Sequence, residues 1–210
     1  MQRVKIWDSF VRLNHWLLVV LLVAMWWTAD NDYMEWHLRI APVLGALVLV
    51  RIVWGLFGSE SARFSRFLKG PRAVASHVRE LRQGQVTPHN THNPAGGWAV
   101  VVLLGLLLAQ FVSGLFAADG FFYQGPLASS IGLDLAEQIT DVHSWIFDLL
   151  VIAVALHIIA IALYRWRGIK LVGAMVHGYQ YQVQAPKLVN GLLAIALAAV
   201  AAYALFQWIH

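Results

Sequence analysis

The 210-residue chain is predicted to be an all-α integral membrane helical bundle of five transmembrane helices. Three observations lead to that class. Hydrophobic residues make up 60% of the sequence and charged residues 12%, with a mean hydropathy of +0.64, a balance far from that of a soluble domain. Five apolar stretches stand out at residues 10–29, 36–57, 97–117, 142–166 and 188–209. Each is long enough to cross a hydrocarbon core of about 30 Å, which takes about 20 helical residues. Because that core holds no water to satisfy backbone groups, the spans are expected to be helices.

The first span follows Arg3 and Lys5, has Arg12 at its very start, and ends in MWWTAD. It lacks a small-residue cleavage pattern and reads as a signal-anchor that stays in place. The second opens with WHLRI and has Ala41 and Pro42 near its entry, where a bend is expected. Gly45 in this span, and Gly105, Ser113 and Gly114 in the third, are small residues. They suit close helix contacts, and equally the room a macrocycle would need. The fourth contains HSWIFDLLVIAVALH, residues 143–157, with a histidine at each end. The fifth is alanine-rich; packing against a neighbour such as a partner subunit, and a plain anchor, are both open readings. Between spans two and three, PRAVASHVRELRQG at residues 71–84 reads as a short helix after a proline, its arginines against anionic headgroups.

Charge sets the expected orientation. The segment between spans two and three carries Arg63, Arg66, Lys69, Arg72, Arg79 and Arg82, and Arg167, Lys170 and Lys187 follow span four, with Arg165 at its membrane edge. DNDYME after span one and residues 118–141 hold no Lys or Arg, but include Asp30, Asp32, Glu35, Asp119, Asp134, Glu137 and Asp141. Positive charge stays inside, so the N-terminus is expected in the cytoplasm and the C-terminus outside. The formal net charge of +4 is then a topology signal, and nucleic-acid binding is a poor reading of it. The chain has no cysteine. Disulfides, cysteine-held iron–sulfur clusters and haem attached through C-x-x-C-H are therefore excluded.

Histidine is the remaining ligand for redox chemistry. His143 and His157 are fourteen residues apart, about 40° short of four turns and about 21 Å along the axis. They share a face at two depths, which suits two separate centres. His15, in RLNHW, lies near the inner end of span one, and His37 near the outer end of span two. Depth pairs His15 with His157 and His37 with His143, as two bis-histidine haems b would need. Periodicity alone does not separate haem from another metal, and an interfacial or hydrogen-bonding role stands open for each histidine. Arg51 is again fourteen residues after His37, on that ligand's face at the inner depth. A haem propionate could be its partner; snorkelling to the interface is the alternative. Arg12, one turn before His15, invites the same two readings.

The residues resemble a known family. RLNHW at 12–16, the His37 and Arg51 pair, HNPAGGW at 92–98, SGLF at 113–116, the His143 and His157 pair, and KLVGAMVHG at 170–178 carry the likeness. The chain resembles the bacterial cytochrome b561 superfamily, most closely the branch with the cytochrome b subunit of membrane-bound nickel–iron hydrogenases. The resemblance implies that His15, His37, His143 and His157 are axial ligands of two haems b in a four-helix core spanning residues 1–178, with residues 179–210 as an added fifth, C-terminal transmembrane helix. It implies a bacterial inner-membrane protein relaying electrons between the quinone pool and a periplasmic redox partner, such as a c-type cytochrome or a hydrogenase-like complex. His92, in the HNP element, could meet a propionate or quinone, or be a loop histidine at a helix entry. Ala41 stands where the family pattern has glycine, and the fifth span lies beyond the last shared motif.

Other ionisable residues rank lower. His77, His89, His177 and His210 read as surface residues. Asp148, about 140° around the helix from His143, is expected to face a partner helix or proton path, or to be hydrated at the outer edge. A stand-alone quinone-linked oxidoreductase acting on superoxide or another small molecule is a competing function, although acidic outer loops would not steer an anion. They suit docking of a basic protein. A metal transporter is a third class, but no internal repeat or broken helix pair supports it.

Overall fold

The computed structural model describes residues 3–84, 92–120, 122–181 and 183–209. A short strand β1 (Arg3–Lys5) leads into α1 (Ser9–Asp30), followed by α2 (Met34–Phe57), two short helices α3 (Phe64–Phe67) and α4 (Pro71–Arg82), and α5 (Pro94–Phe116). Then come α6 (Leu133–Trp166), α7 (Leu171–His177), strand β2 (Tyr179–Tyr181) and α8 (Leu192–Ile209). The five long helices α1, α2, α5, α6 and α8 are each apolar and long enough to cross a membrane. The molecule is thus an all-α membrane bundle, as expected from composition.

Asp8 starts α1: its Oδ1 accepts from Val11 N at 2.8 Å, an N-cap that satisfies one orphan donor of the first turn. Its Oδ2 accepts from Trp54 Nε1 at 3.0 Å, tying α1 to the inner end of α2. Asn93 caps α5 in the same way, accepting from Gly96 N at 2.7 Å. Helix α2 runs unbroken through Pro42. It is the central helix, packed against α1, α5 and α8, while α5 also packs along α6. Asn14 Nδ2 donates to the Leu47 carbonyl at 3.0 Å between α1 and α2.

Three differences from the sequence reading follow. Helix α6 begins at Leu133, well before residue 142, because polar residues outside the membrane extend a helix that hydropathy truncates. The fifth span packs within its own chain: α8 lies on α2 and α1, with Ala194 and Ala198 buried one turn apart. Small side chains let the backbones approach there. The N-terminus pairs with the segment after α7, Arg3 opposite Tyr181 and Lys5 opposite Tyr179 in antiparallel register. Gly178 makes this possible. Its φ of 87° favours glycine, and a Cβ there would lie 3.1 Å from both the Trp7 carbonyl and Arg12 Nε.

The core has an inner and a middle part. Ile6, Trp7, Phe10, Leu47, Trp54 and Ala174 belong to the inner cluster. Leu44, Val48, Leu107 and Leu150 form the middle one, with Leu18, Leu22 and Val154 against it.

Candidate functional site

The four paired histidines come from three helices: His15 from α1, His37 from α2, and His143 and His157 from α6. His37 and His143 both line a cavity of about 370 Å³ in the outer half, walled by α1, α2, α5 and α6, and each lies within range of the other's charge. His15 and His157 are likewise within electrostatic range of one another. At each depth the two histidines are thus within charge range of one another.

Hydrogen bonds around the outer pair select the tautomers. His37 Nδ1 is 3.0 Å from the Met25 carbonyl, which can only accept, so Nδ1 carries the hydrogen and Nε2 keeps its lone pair. His143 Nδ1 is 2.8 Å from Ser113 Oγ, and that hydroxyl donates to the Gln110 carbonyl at 3.1 Å. With its hydrogen so used, Ser113 accepts from His143. The His143 Nε2 lone pair then meets the Gln110 amide nitrogen at 2.9 Å, a bond that an iron ligated there would replace. Gly114 leaves room beside this ring: a Cβ would come within 3.1 Å of His143 Cε1. Gly45 instead seats the Phe111 ring against α2, a close helix contact, while Gly105 meets nothing within 4 Å.

At the inner end, several buried nitrogens have no hydrogen-bond partner: His15 Nδ1, Arg12 Nε, Arg51 Nη1 and His92 Nδ1. Arg51 is 6% exposed, so it is held in the interior rather than snorkelling out. Its guanidinium carbon is 5.9 Å from the Phe64 ring centroid, and the charge of Asp8 reaches it. Arg12 Nη1 donates to the Val176 carbonyl at 2.8 Å. His92 packs against Trp7 and Phe67, with ring centroids 5.0 and 4.4 Å away. Burial, and then the charges of Arg51 and His157, push its imidazole down to about 3, so it is neutral at physiological pH.

These residues fit a haem. His37 Nε2 keeps its lone pair for iron and His143 Nε2 could exchange its bond to Gln110 for one, second partners fix their ring orientation, and orphaned guanidinium nitrogens suit propionates. Among the described residues no group of three or more His, Cys, Asp or Glu could hold a bare metal ion.

Two expectations need correction. His77 is not a surface residue: it is 3% exposed, because α4 lies on the inner end of the bundle with this position inward, its Nε2 2.8 Å from the Tyr164 hydroxyl. Asp148 is exposed, in keeping with its reading as hydrated at the outer edge, but it does not turn away from the histidine site: it lines the outer cavity together with His143, Ser144 and Phe147. His177 is exposed as expected, its Nδ1 accepting from Tyr179 N at 3.1 Å. His89 and His210 lie outside the described residues. Gln110 and Tyr164 had no sequence signal beyond their polarity near a span, while Asn93 and Ser113 stood in the HNPAGGW and SGLF stretches without a role assigned to either.

The fold and these donor sets define a class: a membrane helical bundle built around paired histidines, able to hold a non-covalent redox cofactor. The family model described as prokaryotic cytochrome b561 matches residues 6–178. The chain belongs to the prokaryotic cytochrome b561 family, and is therefore a multi-pass bacterial membrane protein of b-type cytochrome character, a haem b protein of transmembrane electron transfer. No curated protein matches it.

Proposed function

We propose that the chain binds two haems b, one between His15 and His157 and one between His37 and His143, and relays electrons between the quinone pool and a periplasmic redox partner. The observation that carries this reading is the pairing of the four histidines at two depths, with Nε2 of the outer pair left to accept a metal. Arg51, Arg12 and His92 are proposed to hold the propionates of the inner haem. Residues 1–178 form the di-haem domain in this reading, and residues 179–210 an added helix that braces α2.

Haem supplies a one-electron couple whose potential the protein tunes through ligands, hydrogen bonds and burial. The chain's own residues orient it. Met25 and Ser113 hold the imidazole planes of the outer pair, and the apolar middle cluster keeps water away from the path between the two depths. The acidic outer residues Asp119, Asp134, Glu137 and Asp141 are exposed and would attract a basic partner such as a c-type cytochrome. With the basic segments inside, the N-terminus is cytoplasmic and the C-terminus periplasmic, in a bacterial inner membrane.

The test is a dithionite-reduced minus oxidised spectrum of purified protein with a pyridine haemochrome count. Two b-type haems per chain are expected. His157→Ala should lose the inner haem and keep the outer one; a variant retaining both with unchanged spectra would overturn the ligand assignment.

A further inference from the structure

Helix α4 turns most of its residues outward, and among the described residues the one it buries is His77. A leucine or valine would anchor an amphipathic helix at lower cost, since a buried imidazole must find hydrogen bonds. His77 Nε2 finds one 2.8 Å away at the Tyr164 hydroxyl, on α6. Asn93 Nδ2 donates to the same oxygen at 2.9 Å.

The direction of these bonds can be assigned. Asn93 Oδ1 is committed to capping α5, accepting from Gly96 N at 2.7 Å, so the amide cannot be flipped and its NH₂ faces the phenol. The Tyr164 oxygen accepts from Asn93 and keeps its own hydrogen to donate, and His77 Nε2 is the acceptor within reach. Three residues from α4, the α5 cap and α6 thus make an ordered donor–acceptor line.

Its place matters as much. Tyr164 is seven residues after His157, about two turns on and about 20° off the same stripe of α6. His92, next to Asn93 in the chain, senses the charges of both Arg51 and His157. The line therefore stands between the inner histidine pair and the basic face. Helix α4 itself carries Arg72, Arg79, Glu80 and Arg82, and the end of α6 carries Arg165 with Arg167 beside it. Helix α5 carries none. Arg167 at the end of α6 acts on Tyr164 by its charge and donates to the Leu81 carbonyl at 2.9 Å, and Glu80 on α4 accepts from Ser76 at 3.0 Å.

We propose that Tyr164 and His77 are a proton relay for a quinone that exchanges electrons at the inner pair, with Asn93 as the residue that positions the phenol. This rests on the quinone-linked reading above. Reduction of a quinone takes two electrons, delivered singly from the periplasmic electron donor through the haems, and two protons. In quinol oxidation the two electrons pass singly to the haems. For each proton the relay carries, the quinol O–H bond breaks as a new Tyr164 O–H bond forms, while the phenol's original O–H bond breaks as the His77 Nε2–H bond forms. Protonated His77 then gives up a proton to cytoplasmic water. Quinone reduction runs the same transfers in reverse, after His77 takes a proton from cytoplasmic water.

The experiment uses the holoprotein in lipid nanodiscs with a short-chain ubiquinol, following haem reduction optically in H₂O and in D₂O and quinone affinity by equilibrium titration. Tyr164→Phe and His77→Gln are expected to keep both haem spectra and bind quinone within about twofold of wild type, yet to slow haem reduction about 10- to 100-fold, in the lower range of acid–base contributions. The solvent isotope effect should rise in both. His77→Ala should recover rate with added imidazole, which restoration of packing alone would not produce in Tyr164→Phe. Wild-type rates and an unchanged isotope effect in both variants overturn the relay while leaving the quinone reading intact. A wild-type holoprotein that reacts with no quinol or quinone overturns the quinone reading, and the relay with it. Lost affinity with unchanged turnover makes the cluster a binding site and overturns the relay.

Discussion

Ser113 shows how much of a cofactor site lies one bond away from its ligands. Its hydroxyl stands between His143 Nδ1 at 2.8 Å and the Gln110 carbonyl at 3.1 Å, so it transmits the helix backbone's orientation to the imidazole. Ser113→Ala is predicted to weaken haem binding at the outer site by about 10- to 100-fold, the usual effect of losing such a partner, with the inner haem untouched. Haem titration of the apoprotein, read at each haem's own band, checks this. Ser113 was visible in the sequence as a small residue and as part of the SGLF stretch, but not as a partner of His143, because a hydrogen bond across thirty positions leaves no local pattern. The histidines were legible for the opposite reason. Fourteen residues on a helix restore nearly the same face, so His143 and His157 declare a shared side by spacing alone.

At the scale of elements, α8 and its linker are held by contacts from both ends of the chain. Ala194 is 0% exposed where α8 meets α2. Ala194→Leu should overpack this contact and cost about 1–3 kcal/mol, seen as a lower unfolding temperature in detergent with haem absorbance as the probe. Glu60, in the turn after α2, accepts from Lys187 N at 3.0 Å and pairs with Arg66 at 3.1 Å. The hydrogen bond from the Lys187 backbone, and then the charges of Arg66, Arg63 and Lys187, outweigh desolvation and hold its carboxyl below the usual 4.5. A depressed carboxyl stabilises the fold at neutral pH, and its contribution is lost as pH falls through the lowered value. Amide exchange in residues 185–191 is predicted to accelerate there, and a Glu60→Ala variant to show that fast exchange already at pH 7. The spans themselves were readable to within a few residues, since hydropathy follows membrane thickness. The 34-residue length of α6 was not, because its first turns lie among polar residues and hydropathy does not mark them.

For the whole molecule, the basic segments and the acidic segments fall on opposite ends of the bundle, which makes it a directional conductor in the proposed reading. A reporter enzyme active only in the periplasm, fused after residue 210, should be active, and one fused after residue 84 should be inactive. The reverse pattern would invert the assignment of inner and outer sites. The family match ends at residue 178, while α8 begins at Leu192. The added helix therefore enlarges the bundle on the flank of α2, with Leu193, Leu197 and Val200 still exposed.

What the amino-acid sequence determined by itself was the class: helices in a membrane, their number, and four histidines at two depths. These follow from composition and from the 3.6-residue period, which act locally and are written in consecutive residues. The tertiary structure alone decided that α8 packs on α2, that Arg51 and His77 are buried, and that Gln110, Ser113 and Tyr164 touch the histidines. Such contacts join positions far apart in the chain, and which side chains meet depends on how the helices rotate and approach as they pack, through the small residues at their interfaces.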